Sequence, residues 1–367
     1  MSTASSLPSS RAGVRKRVLI ADDSAFMRKV LSSALAEGGF DVVGAARDGD
    51  EALRLCARLR PDVMTLDLAM PGVDGIAVLR ALRERGPTTP VVVVSAFSPG
   101  GGAEGARAVD ALAEGAFDLV VKPEAGQPLS QFADALRRVT ATAAATNRAA
   151  VASAAPAAPA AQECPASRFP RVTRTSGARG TGRIVVIACS TGGPKALADL
   201  IPALPAPLGA GSMLVQHMPS GFTASLAARL DRFSALNVRE ARAGDRLEPG
   251  TLLMAPGGLH LRLGTDGVAA LTEEAPVGGL RPRADLTIVD AARLFGERIL
   301  LVVLTGMGRD GLEGARAVSK AGGRILVEAE RTCTVYGMPR AVAEAGLADA
   351  TLPLDELATA IAEEVGA

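Results

Sequence analysis

The sequence is poor in aromatic residues and has almost no net charge, which argues against nucleic acid as a partner. Phe, Tyr and Trp make up 3% of the 367 residues, with no Trp and one Tyr. Proteins that bind single-stranded nucleic acid stack the bases on aromatic side chains. Nucleic-acid-binding domains in general carry a basic excess, whereas 40 basic residues here oppose 39 acidic ones. We therefore expect no nucleic acid as partner.

Cysteine and long apolar runs are also scarce. The four cysteines lie far apart without a C-x-x-C pair, a pattern that favours neither a disulfide framework nor a zinc site and indicates a reducing compartment. The longest apolar runs, such as residues 299–304, have the length of a strand, below the roughly 18–20 residues that a membrane helix needs. Residues 1–15 lack the apolar segment of a signal peptide, and we expect them to be a disordered extension. We predict a cytoplasmic protein without membrane insertion.

The composition changes sharply over residues 140–181, which are rich in Ala, Pro, Ser and Thr. Repeated Pro prevents one continuous helix, and the segment has few large apolar side chains to bury. We predict a flexible linker between a front domain (residues 16–139) and a rear domain (residues 182–367). The length agrees with two domains at roughly 100–200 residues per domain.

Both halves alternate short apolar runs with amphipathic helical segments, which predicts an α/β protein with two doubly wound parallel sheets. The predicted strands lie at residues 17–21, 63–66, 91–94, 119–121, 184–188, 213–216, 299–304 and 325–327. Residues 259–272 alternate around Thr265-Asp-Gly267 instead, which predicts an antiparallel hairpin attached to the rear sheet. His260 lies in this hairpin, and its alternation with Arg262 predicts a position at the surface or rim.

The predicted front strands end in residues that suit phosphoryl transfer, and in a parallel sheet these ends meet at one edge. Those residues are Asp22, Asp23, Asp67, Ser95 and Lys122. Clustered carboxylates repel one another unless a cation joins them, and Mg²⁺ prefers oxygen ligands. A carboxylate beside Mg²⁺ can accept a phosphoryl group, whose oxygens the lysine and the serine would bind. The alternative is that each aspartate only caps a helix or starts a turn.

The predicted rear strands bring a serine, a histidine and an aspartate to one edge. Ser190 follows the first rear strand and precedes a helix, His217 ends the next strand, and Asp310 follows a later one. A serine hydroxyl is a weak nucleophile until a base takes its proton. A carboxylate that binds the imidazole fixes its tautomer and stabilises the imidazolium. This pattern predicts a serine hydrolase.

Several other interpretations of these residues stay open. Ser190 and Asp310 could be helix caps or loop residues, and His217 could be structural. The stretch Gly306-Met-Gly-Arg-Asp-Gly311, with Glu328 further on, matches a dinucleotide-binding fingerprint. That fingerprint usually opens its domain, however, and it would leave the serine and the histidine unexplained. A rear domain that binds a partner without catalysis is a further alternative.

The motifs LIADDSAFMRK, TLDLAMPGVDG, VVVVSAF and VVKP make about residues 16–139 resemble the receiver domain of two-component response regulators. The resemblance implies phosphorylation by a sensor histidine kinase, with Asp67 as the phosphoacceptor. It also implies Asp22, Asp23 and Asp67 as Mg²⁺ ligands, Ser95 as the switch hydroxyl and Lys122 as the phosphate-binding lysine. Leu119 stands where receivers have a switch aromatic residue, which leaves the route of signal transmission open.

The motifs ACSTGGPKAL, QHMPSGFT, LMAPGGLHL, LTGMGRDG and VYGMPRA make about residues 182–367 similar to the catalytic domain of the chemotaxis protein-glutamate methylesterases of the CheB type. The resemblance implies a flavodoxin-type receiver followed by a Rossmann-like α/β hydrolytic domain, and an esterase reaction without a cofactor. It implies these roles: Ser190 as nucleophile, His217 as general base, Asp310 as its orienting partner and the backbone amide of Met307 as oxyanion donor.

The resemblance also implies the substrate and its control. We expect γ-glutamyl methyl esters on the cytoplasmic helices of chemoreceptors as substrate, with glutamine deamidation as a second activity. We expect the unphosphorylated receiver to cover the rear site and phosphorylation of Asp67 to relieve that block. Two departures stand out: Cys189 replaces the usual Ala before the serine, and Leu280-Arg-Pro-Arg283 replaces the family's His-Arg-Pro-Ser.

Overall fold

The computed structural model of the chain describes residues 15–86, 89–96, 102–123, 128–153 and 182–366. The N-terminal extension expected over residues 1–15 therefore lies outside the described residues except for Arg15. The same holds for residues 154–181, the greater part of the expected linker. In the part of the chain that is described, no helix is both long and apolar enough to cross a bilayer.

In the described part of the front half, five parallel strands form one sheet in the order β2-β1-β3-β4-β5. The strands are β1 (Arg17–Ala21), β2 (Asp41–Ala46), β3 (Val63–Leu66), β4 (Val91–Ser95) and β5 (Asp118–Val121). The helices are α1 (Ala25–Glu37), α2 (Gly49–Leu59), α3 (Gly75–Glu84), α4 (Gly102–Ala113) and α5 (Leu129–Ser153). The residues of β3 and β4 are all buried, as expected for parallel strands that are covered on both faces.

The rear half has a larger parallel sheet, of seven described strands in the order β14-β13-β12-β6-β7-β9-β8. Its strands are β6 (Ile184–Cys189), β7 (Gly211–Gln216), β8 (Asn237–Glu240), β9 (Thr251–Met254), β12 (Ile299–Val303), β13 (Arg324–Glu328) and β14 (Ala350–Leu352). Its helices are α6 (Gly193–Leu200), α7 (Phe222–Phe233), α8 (Ala284–Phe295), α9 (Leu312–Lys320), α10 (Met338–Glu344) and α11 (Leu354–Val365). The fold class predicted from the sequence is confirmed.

Both sheets reverse their strand order at one point, and polar loops meet there. In the front sheet the chain passes from β1 to β2 on one side and to β3 on the other. In the rear sheet β7 lies on one side of β6 and β12 on the other. Open α/β sheets bind ligands beyond the carboxyl ends of the strands at such reversal points. The two candidate sites are therefore expected beyond β1 and β3, and beyond β6 and β12.

The predicted hairpin is present, but it forms a two-stranded sheet of its own. Strands β10 (His260–Leu263) and β11 (Ala269–Thr272) pair only with each other. The hairpin is held against α8, where the Thr287 hydroxyl donates to the Leu261 carbonyl at 2.7 Å. The Asp290 carboxylate in turn accepts from the Leu263 amide at 3.1 Å. The hairpin is thus anchored by side-chain bonds to α8 and by backbone bonds of Ala269 with Gly244 and Asp245, in the loop after β8.

The position predicted for His260 at the surface or rim is wrong, because its side chain is 0% exposed. The imidazole lies beneath the segment that leads into α8. Its Nδ1 accepts from the Arg283 amide at 3.2 Å, and Nε2 lies 3.4 Å from the Ala275 carbonyl. Alternation along the strand separated the two faces, but it could not show that a later loop covers the face that carries His260.

Helix α5 extends past residue 139, where the sequence analysis ends the front domain, and reaches Ser153. Residues 141–150 include six alanines, the residue with the highest helix propensity, and the first proline of the expected linker comes only at position 156. The basic Lys16 side chain ties this helix to β1 by donating to the Ala144 carbonyl at 2.7 Å. The first part of the expected linker is therefore helical.

The two halves are packed against each other through α4, which lies on α6 and α7 of the rear half. Gly105 of α4 faces α7 so closely that a Cβ added there would come within 3.0 Å of the Ser225 hydroxyl. Asp110 of α4 forms an ion pair with Arg229 of α7. Buried apolar residues of both halves belong to one continuous cluster. The front half thus contacts the elements that flank the candidate serine site.

Candidate active site

Ser190 lies in the turn between β6 and α6, where its backbone is bound on both sides. Its N–H donates to the Thr305 carbonyl at 3.0 Å, and its own carbonyl accepts from the Gly193 amide at 2.7 Å. The residue before α6 is Gly192, with φ at 80° and no side-chain cap. Ser190 is therefore not the helix cap that one alternative proposed, and its hydroxyl is available for chemistry.

The strand register places His217 beside Ser190. Cys189 lies opposite Gln216 in the pairing of β6 with β7, so the next residues along, Ser190 and His217, leave neighbouring strands together. Adjacent strands in a sheet are about 4.8 Å apart. The serine and the histidine are thus held at the carboxyl ends of two adjacent strands.

Gln216 joins the backbones of these two residues, a role that sequence reasoning missed. Its side chain is 2% exposed, and its Nε2 donates to the carbonyls of Ser190 and His217, at 3.0 Å each. Its Oε1 accepts from the Cys189 thiol at 3.0 Å. Carbonyls only accept, so these partners fix the orientation of the amide. The replacement of Ala by Cys189 thus supplies a donor to the amide that spans the serine and the histidine.

Asp310 binds the imidazole of His217, as the sequence analysis expected. Its Oδ2 lies 2.7 Å from His217 Nε2, and the side chain is 2% exposed. It is not a cap of α9. Its oxygens accept instead from the backbone amides of Ala284, Asp285 and Gly311, at 2.7, 2.9 and 2.9 Å. The first turn of α8 therefore fixes this carboxylate in place.

These contacts keep Asp310 ionised. Burial alone would raise the pKa of this carboxyl. The hydrogen bond and charge interaction with His217 and the two amides of α8 outweigh burial, and they lower its pKa from 3.8 to about 2. An ionised carboxylate can only accept a hydrogen bond. His217 Nε2 must therefore carry a proton when it binds Asp310.

The other ring nitrogen of His217 is the one left for chemistry. Nδ1 is buried and has no hydrogen-bond partner among the described residues. In a neutral imidazole one nitrogen carries a proton and the other a lone pair, so the lone pair is on Nδ1. The structure thus joins His217 to Asp310 but shows no hydrogen bond between His217 and the Ser190 hydroxyl. Such bonds often form only when substrate is bound.

The loop that carries Met307 lies against Ser190. At Gly306, an added Cβ would come within 2.8 Å of the Ser190 Cβ and 2.4 Å of the Met338 sulfur. Only glycine fits there, and the peptide that links it to Met307 is held next to Ser190. The Met307 sulfur itself contacts the front half, where the Thr142 hydroxyl lies 3.2 Å away.

Burial argues against the dinucleotide-binding interpretation of this loop. The acidic residue of that fingerprint has to reach a ribose hydroxyl, but Glu328 is 0% exposed and accepts from the Thr305 amide at 2.8 Å. Asp310, inside the same stretch, binds His217 instead. Glu328 therefore binds the backbone of the loop and Asp310 binds the imidazole, and neither is placed to bind a ribose.

The departure at Leu280-Arg-Pro-Arg283 places a cation beside the site. The Arg283 guanidinium lies between two carboxylates, with Nε 2.7 Å from Asp310 Oδ1 and Nη2 2.6 Å from Asp285 Oδ2. Burial raises the pKa of Asp285, and the neighbouring charge of Asp310 adds to that rise. Arg283 thus reduces the repulsion between two acids, a role that the sequence did not indicate.

The front half gathers its acidic residues at the ends of β1 and β3. Lys122 bridges two of them, with Nζ 2.7 Å from Asp67 Oδ2 and 2.9 Å from Asp22 Oδ2. Burial disfavours the charge on Lys122, but these two partners outweigh it and raise its pKa. Ser95 is buried at the adjacent end of β4, and its carbonyl accepts from the Lys122 amide at 2.8 Å. All the residues predicted for this pocket lie at one edge of the sheet.

The turn interpretation is correct for one oxygen of Asp22 and one of Asp67, whereas the cap of α1 is Ser24. Asp22 Oδ1 accepts from the Ser24 amide at 2.9 Å, and Asp67 Oδ1 accepts from the Ala69 amide at 3.2 Å. Their other oxygens face Lys122. The local turns therefore orient each carboxylate without using up its capacity to bind a cation.

The acidic pocket fits a magnesium ion. Asp22, Asp23 and Asp67 each offer a carboxylate oxygen, and these oxygens lie within 4.8 Å of one another. Carboxylate oxygens are the ligands that Mg²⁺ prefers, and it keeps several waters besides one or two of them. The exposed Asp23 at the rim leaves the pocket open to such waters. The residues present therefore fit the Mg²⁺ site that the resemblance to receiver domains implies.

Comparison with known proteins finds a matching family for each half of the chain. Residues 185–361 match the family model described as CheB methylesterase, and residues 18–134 match that of the response regulator receiver domain. A relative from Symbiobacterium thermophilum, named protein-glutamate methylesterase/protein-glutamine glutaminase, is 47% identical over 95% of this chain and 97% of its own. A relative from Methanosarcina acetivorans, with the same name and the number 2, is 41% identical over 95% of this chain and 99% of its own.

The solved catalytic domain of Thermotoga maritima CheB methylesterase is 43% identical and covers 50% of this chain and 98% of its own, with a TM-score of 0.48. The relatives that match nearly the full length confirm the enzyme class expected from the sequence, a methylesterase joined to a receiver domain. The chain belongs to the CheB methylesterase family.

Proposed function

We propose that Ser190, His217 and Asp310 hydrolyse γ-glutamyl methyl esters on the cytoplasmic helices of chemoreceptors, and deamidate receptor glutamines as a second activity. The observation that carries the assignment is the bond between the buried Asp310 and His217 Nε2, at 2.7 Å. It leaves the lone pair of Nδ1 on the ring beside the nucleophile. The same chemistry serves both substrates, because an ester and an amide differ only in the leaving group.

The steps follow from these positions. His217 Nδ1 takes the proton of the Ser190 hydroxyl, and the Ser190 oxygen attacks the ester carbonyl carbon. The negative charge that develops on the carbonyl oxygen is bound by the Met307 amide. The C–O bond to the methoxy group then breaks, and methanol leaves with the proton from the imidazolium. A water molecule, deprotonated by the same nitrogen, then attacks the acyl carbon. The bond from that carbon to the Ser190 oxygen breaks, the imidazolium returns the proton to this oxygen, and the product acid ionises to a glutamate carboxylate. Removal of one oxyanion donor typically costs about 10²–10³-fold in kcat.

We propose Asp67 as the phosphoacceptor, with a sensor histidine kinase as phosphodonor. Asp22, Asp23 and Asp67 would hold Mg²⁺, which when bound neutralises the charge that gathers on the carboxylate and the phosphoryl oxygens. Lys122 already binds the Asp67 carboxylate, so it would contact the phosphoryl group. Ser95 lies at the adjacent strand end and would bind the same group through its hydroxyl.

We propose that the receiver covers the serine site until it is phosphorylated. The Thr191 hydroxyl, next to the nucleophile, donates to Asp118 of β5 at 2.5 Å, and burial raises the pKa of that carboxyl. Thr142 of α5 contacts Met307. These contacts place a receiver side chain at the residue after the nucleophile and another at the proposed oxyanion donor. A receptor helix could reach the serine only after they separate.

We place this reaction in the cytoplasm, where the proposed receptor helices lie. The described cysteines, Cys56, Cys189 and Cys333, are free thiols, which suits a reducing compartment. The kinase would act in the same compartment.

Release of methanol from a methylated chemoreceptor tests the assignment of the serine and the histidine. We expect Ser190→Ala and His217→Ala to lose activity by at least about 10³-fold, since both belong to one catalytic unit. A serine-directed fluorophosphonate should label the wild type and not Ser190→Ala. Circular dichroism of both variants is the control for folding. Full activity in Ser190→Ala would rule the mechanism out, and binding of receptor without methanol release would favour the binding-only alternative.

A further inference from the structure

Glu328 is a fully buried acid for which the steps above have no use. It ends β13, is 0% exposed, and forms no ion pair with a basic side chain of the described residues. Burial raises the pKa of its carboxyl against the opposing effect of the hydrogen bond from the Thr305 amide. Burying an acid without a counter-charge is unfavourable. The contacts of Glu328 must therefore account for its burial.

Its carboxylate supplies a hydrogen bond that the sheet can no longer provide. The pairing of β12 with β13 ends at Val303 and Val327. Beyond it the chain turns, and the Thr305 amide donates to Glu328 Oε2 at 2.8 Å instead of to a backbone carbonyl. A buried amide without an acceptor is strongly unfavourable. Glu328 thus extends the β12–β13 contact two residues beyond Val303, to Thr305 at the start of the Gly306–Met307 loop.

Thr305 in turn binds the backbone of Ser190 and Thr191. Its carbonyl accepts from the Ser190 amide at 3.0 Å. Its hydroxyl donates to the Thr191 carbonyl at 3.0 Å and accepts from the Val335 amide at 2.9 Å. Thr305 is 1% exposed. Each polar atom of this residue is therefore used, and two of them bind the backbone on either side of the Ser190 hydroxyl.

The next residue leaves no room for adjustment. The Gly306 amide donates to the Val335 carbonyl at 3.0 Å, and its carbonyl accepts from the Met338 amide at 2.8 Å. A Cβ at Gly306 would collide with Ser190. A shift of Thr305 would therefore move Ser190 and the Met307 amide together.

We propose that Glu328 is a positioning residue for the esterase reaction: through the Thr305 amide it sets the position of the Ser190 hydroxyl and of the Met307 amide. This inference rests on the proposed roles of Ser190 and Met307. Glu328 acts as a hydrogen-bond acceptor, so its negative charge is not required.

Two substitutions with side chains of similar shape distinguish the effect of the hydrogen-bond acceptor from that of the side-chain volume. Glu328→Gln keeps an oxygen for the Thr305 amide, whereas Glu328→Met keeps an unbranched chain without a strong acceptor. Misplacement of reacting groups by about 1 Å can cost 10²-fold in rate. For full-length protein with acetyl phosphate and Mg²⁺, we expect Glu328→Met to lower kcat for methanol release by about 10–10²-fold, with KM within about 2-fold. We expect Glu328→Gln to stay within about 3-fold of wild type.

The control is Asp290→Leu, which removes another buried carboxylate that accepts from a backbone amide, at 3.1 Å from Leu263 in the hairpin. Unlike Glu328, this carboxylate also pairs with Arg262. Both Asp290→Leu and Glu328→Met should lower the Tm. Only Glu328→Met should slow fluorophosphonate labelling of Ser190 per folded molecule. Should Glu328→Met fail to fold, Glu328→Asp, which withdraws the acceptor by one methylene, should lower kcat in the same way.

A Glu328 variant without an acceptor at Thr305 that keeps wild-type kcat per folded molecule would overturn the proposal. So would equal losses in Glu328→Gln and Glu328→Met, since the charge would then be what matters. Loss of labelling in Ser190→Ala alongside full activity in Glu328→Met and Glu328→Asp removes only the positioning role. Activity that persists in Ser190→Ala removes the proposed function itself.

Discussion

A single carboxylate, Asp310, decides which nitrogen of His217 can act as a base. Ionised and bound to three backbone amides, it can only accept from the imidazole. The proton therefore resides on Nε2 and the lone pair on Nδ1. An asparagine at this position could donate its amide hydrogen to the ring and stabilise the wrong tautomer.

We predict that Asp310→Asn lowers kcat for methanol release by about 10²–10⁴-fold with little change in KM, because the imidazole loses the tautomer that can deprotonate Ser190. Steady-state kinetics on methylated receptor measure this. Circular dichroism serves as the control for the fold, since the asparagine oxygen can still accept from the first turn of α8. A kcat within about 3-fold of wild type would show that Asp310 does not orient the base.

The same carboxylate should leave a signature in the pH dependence of stability. Its pKa falls from 3.8 to about 2 on folding, so its contribution is complete above about pH 4 and is lost as the pH falls towards 2. We expect the difference in unfolding free energy between wild type and Asp310→Asn to be on the order of 2 kcal/mol at neutral pH. Urea unfolding from pH 7 to pH 2 measures it. A difference that grows on acidification would contradict this sign.

The residue types at strand ends allowed most of the candidate site to be anticipated. Ser190, His217 and Asp310 each follow an apolar run, and in a parallel sheet such ends meet. His260 was misplaced and Gln216 was overlooked, because most of their partners are backbone atoms. Hydrogen bonds to backbone atoms leave no pattern in the sequence, whereas hydrophobic periodicity does. The catalytic roles themselves remain predictions.

At the scale of elements, the predicted strands agree with the structure to within one or two residues, because buried parallel strands are continuous apolar runs. Four strands, β2, β8, β9 and β14, were not predicted, and helix α5 is longer than predicted. Its alanines favour a helix, but composition alone could not distinguish a helix from a flexible linker. The added turns bring Ala143 and Ala144 into a cluster against which Val335 of the rear half packs. The extended helix thus reaches the active-site loop.

The contact between α4 and α7 offers a test by charge exchange. Asp110→Arg and Arg229→Asp each place like charges together, which weakens the docked arrangement. A partly exposed ion pair contributes about 0.2–1 kcal/mol, so we predict that each single variant raises unphosphorylated methanol release by about 2–5-fold. The double variant, with the pair reversed, should return to the wild-type rate.

The exposed Arg232 on the same helix provides the matched control. Arg232→Asp changes the charge of α7 equally without touching Asp110, and we expect wild-type rates for it. Single variants that stay at the wild-type rate would show that this contact does not hold the docked state. A double variant as active as the singles would show that the effect comes from helix damage.

At the scale of the whole molecule, receiver elements lie on the esterase loops, and we propose that these contacts couple the two sites. Asp118 binds Thr191, next to the nucleophile, and immediately precedes Leu119, the position of the missing switch aromatic. Strand β5 therefore links the phosphorylation edge, at Lys122, to the serine site. The sequence could not show this contact, since neither Asp118 nor Thr191 belongs to a motif for domain docking.

A phosphodonor can activate the enzyme only if it favours the undocked arrangement over the docked one. A shift of about 1.4 kcal/mol changes the ratio of the two arrangements 10-fold. The contacts of the receiver with Thr191, Met307 and Arg229 together contribute a free energy of this order, because a typical hydrogen bond contributes about 0.5–1.5 kcal/mol. Phosphorylation of Asp67 therefore needs to disturb only a few contacts to expose the serine.

The most direct measurement is methanol release from methylated chemoreceptor by the full-length protein, with and without acetyl phosphate and Mg²⁺. We predict an increase of about 10-fold or more for the wild type, no increase for Asp67→Asn, and no release at all for Ser190→Ala. Equal rates with and without the phosphodonor, or an increase that persists in Asp67→Asn, would contradict control of the serine site by phosphorylation of Asp67.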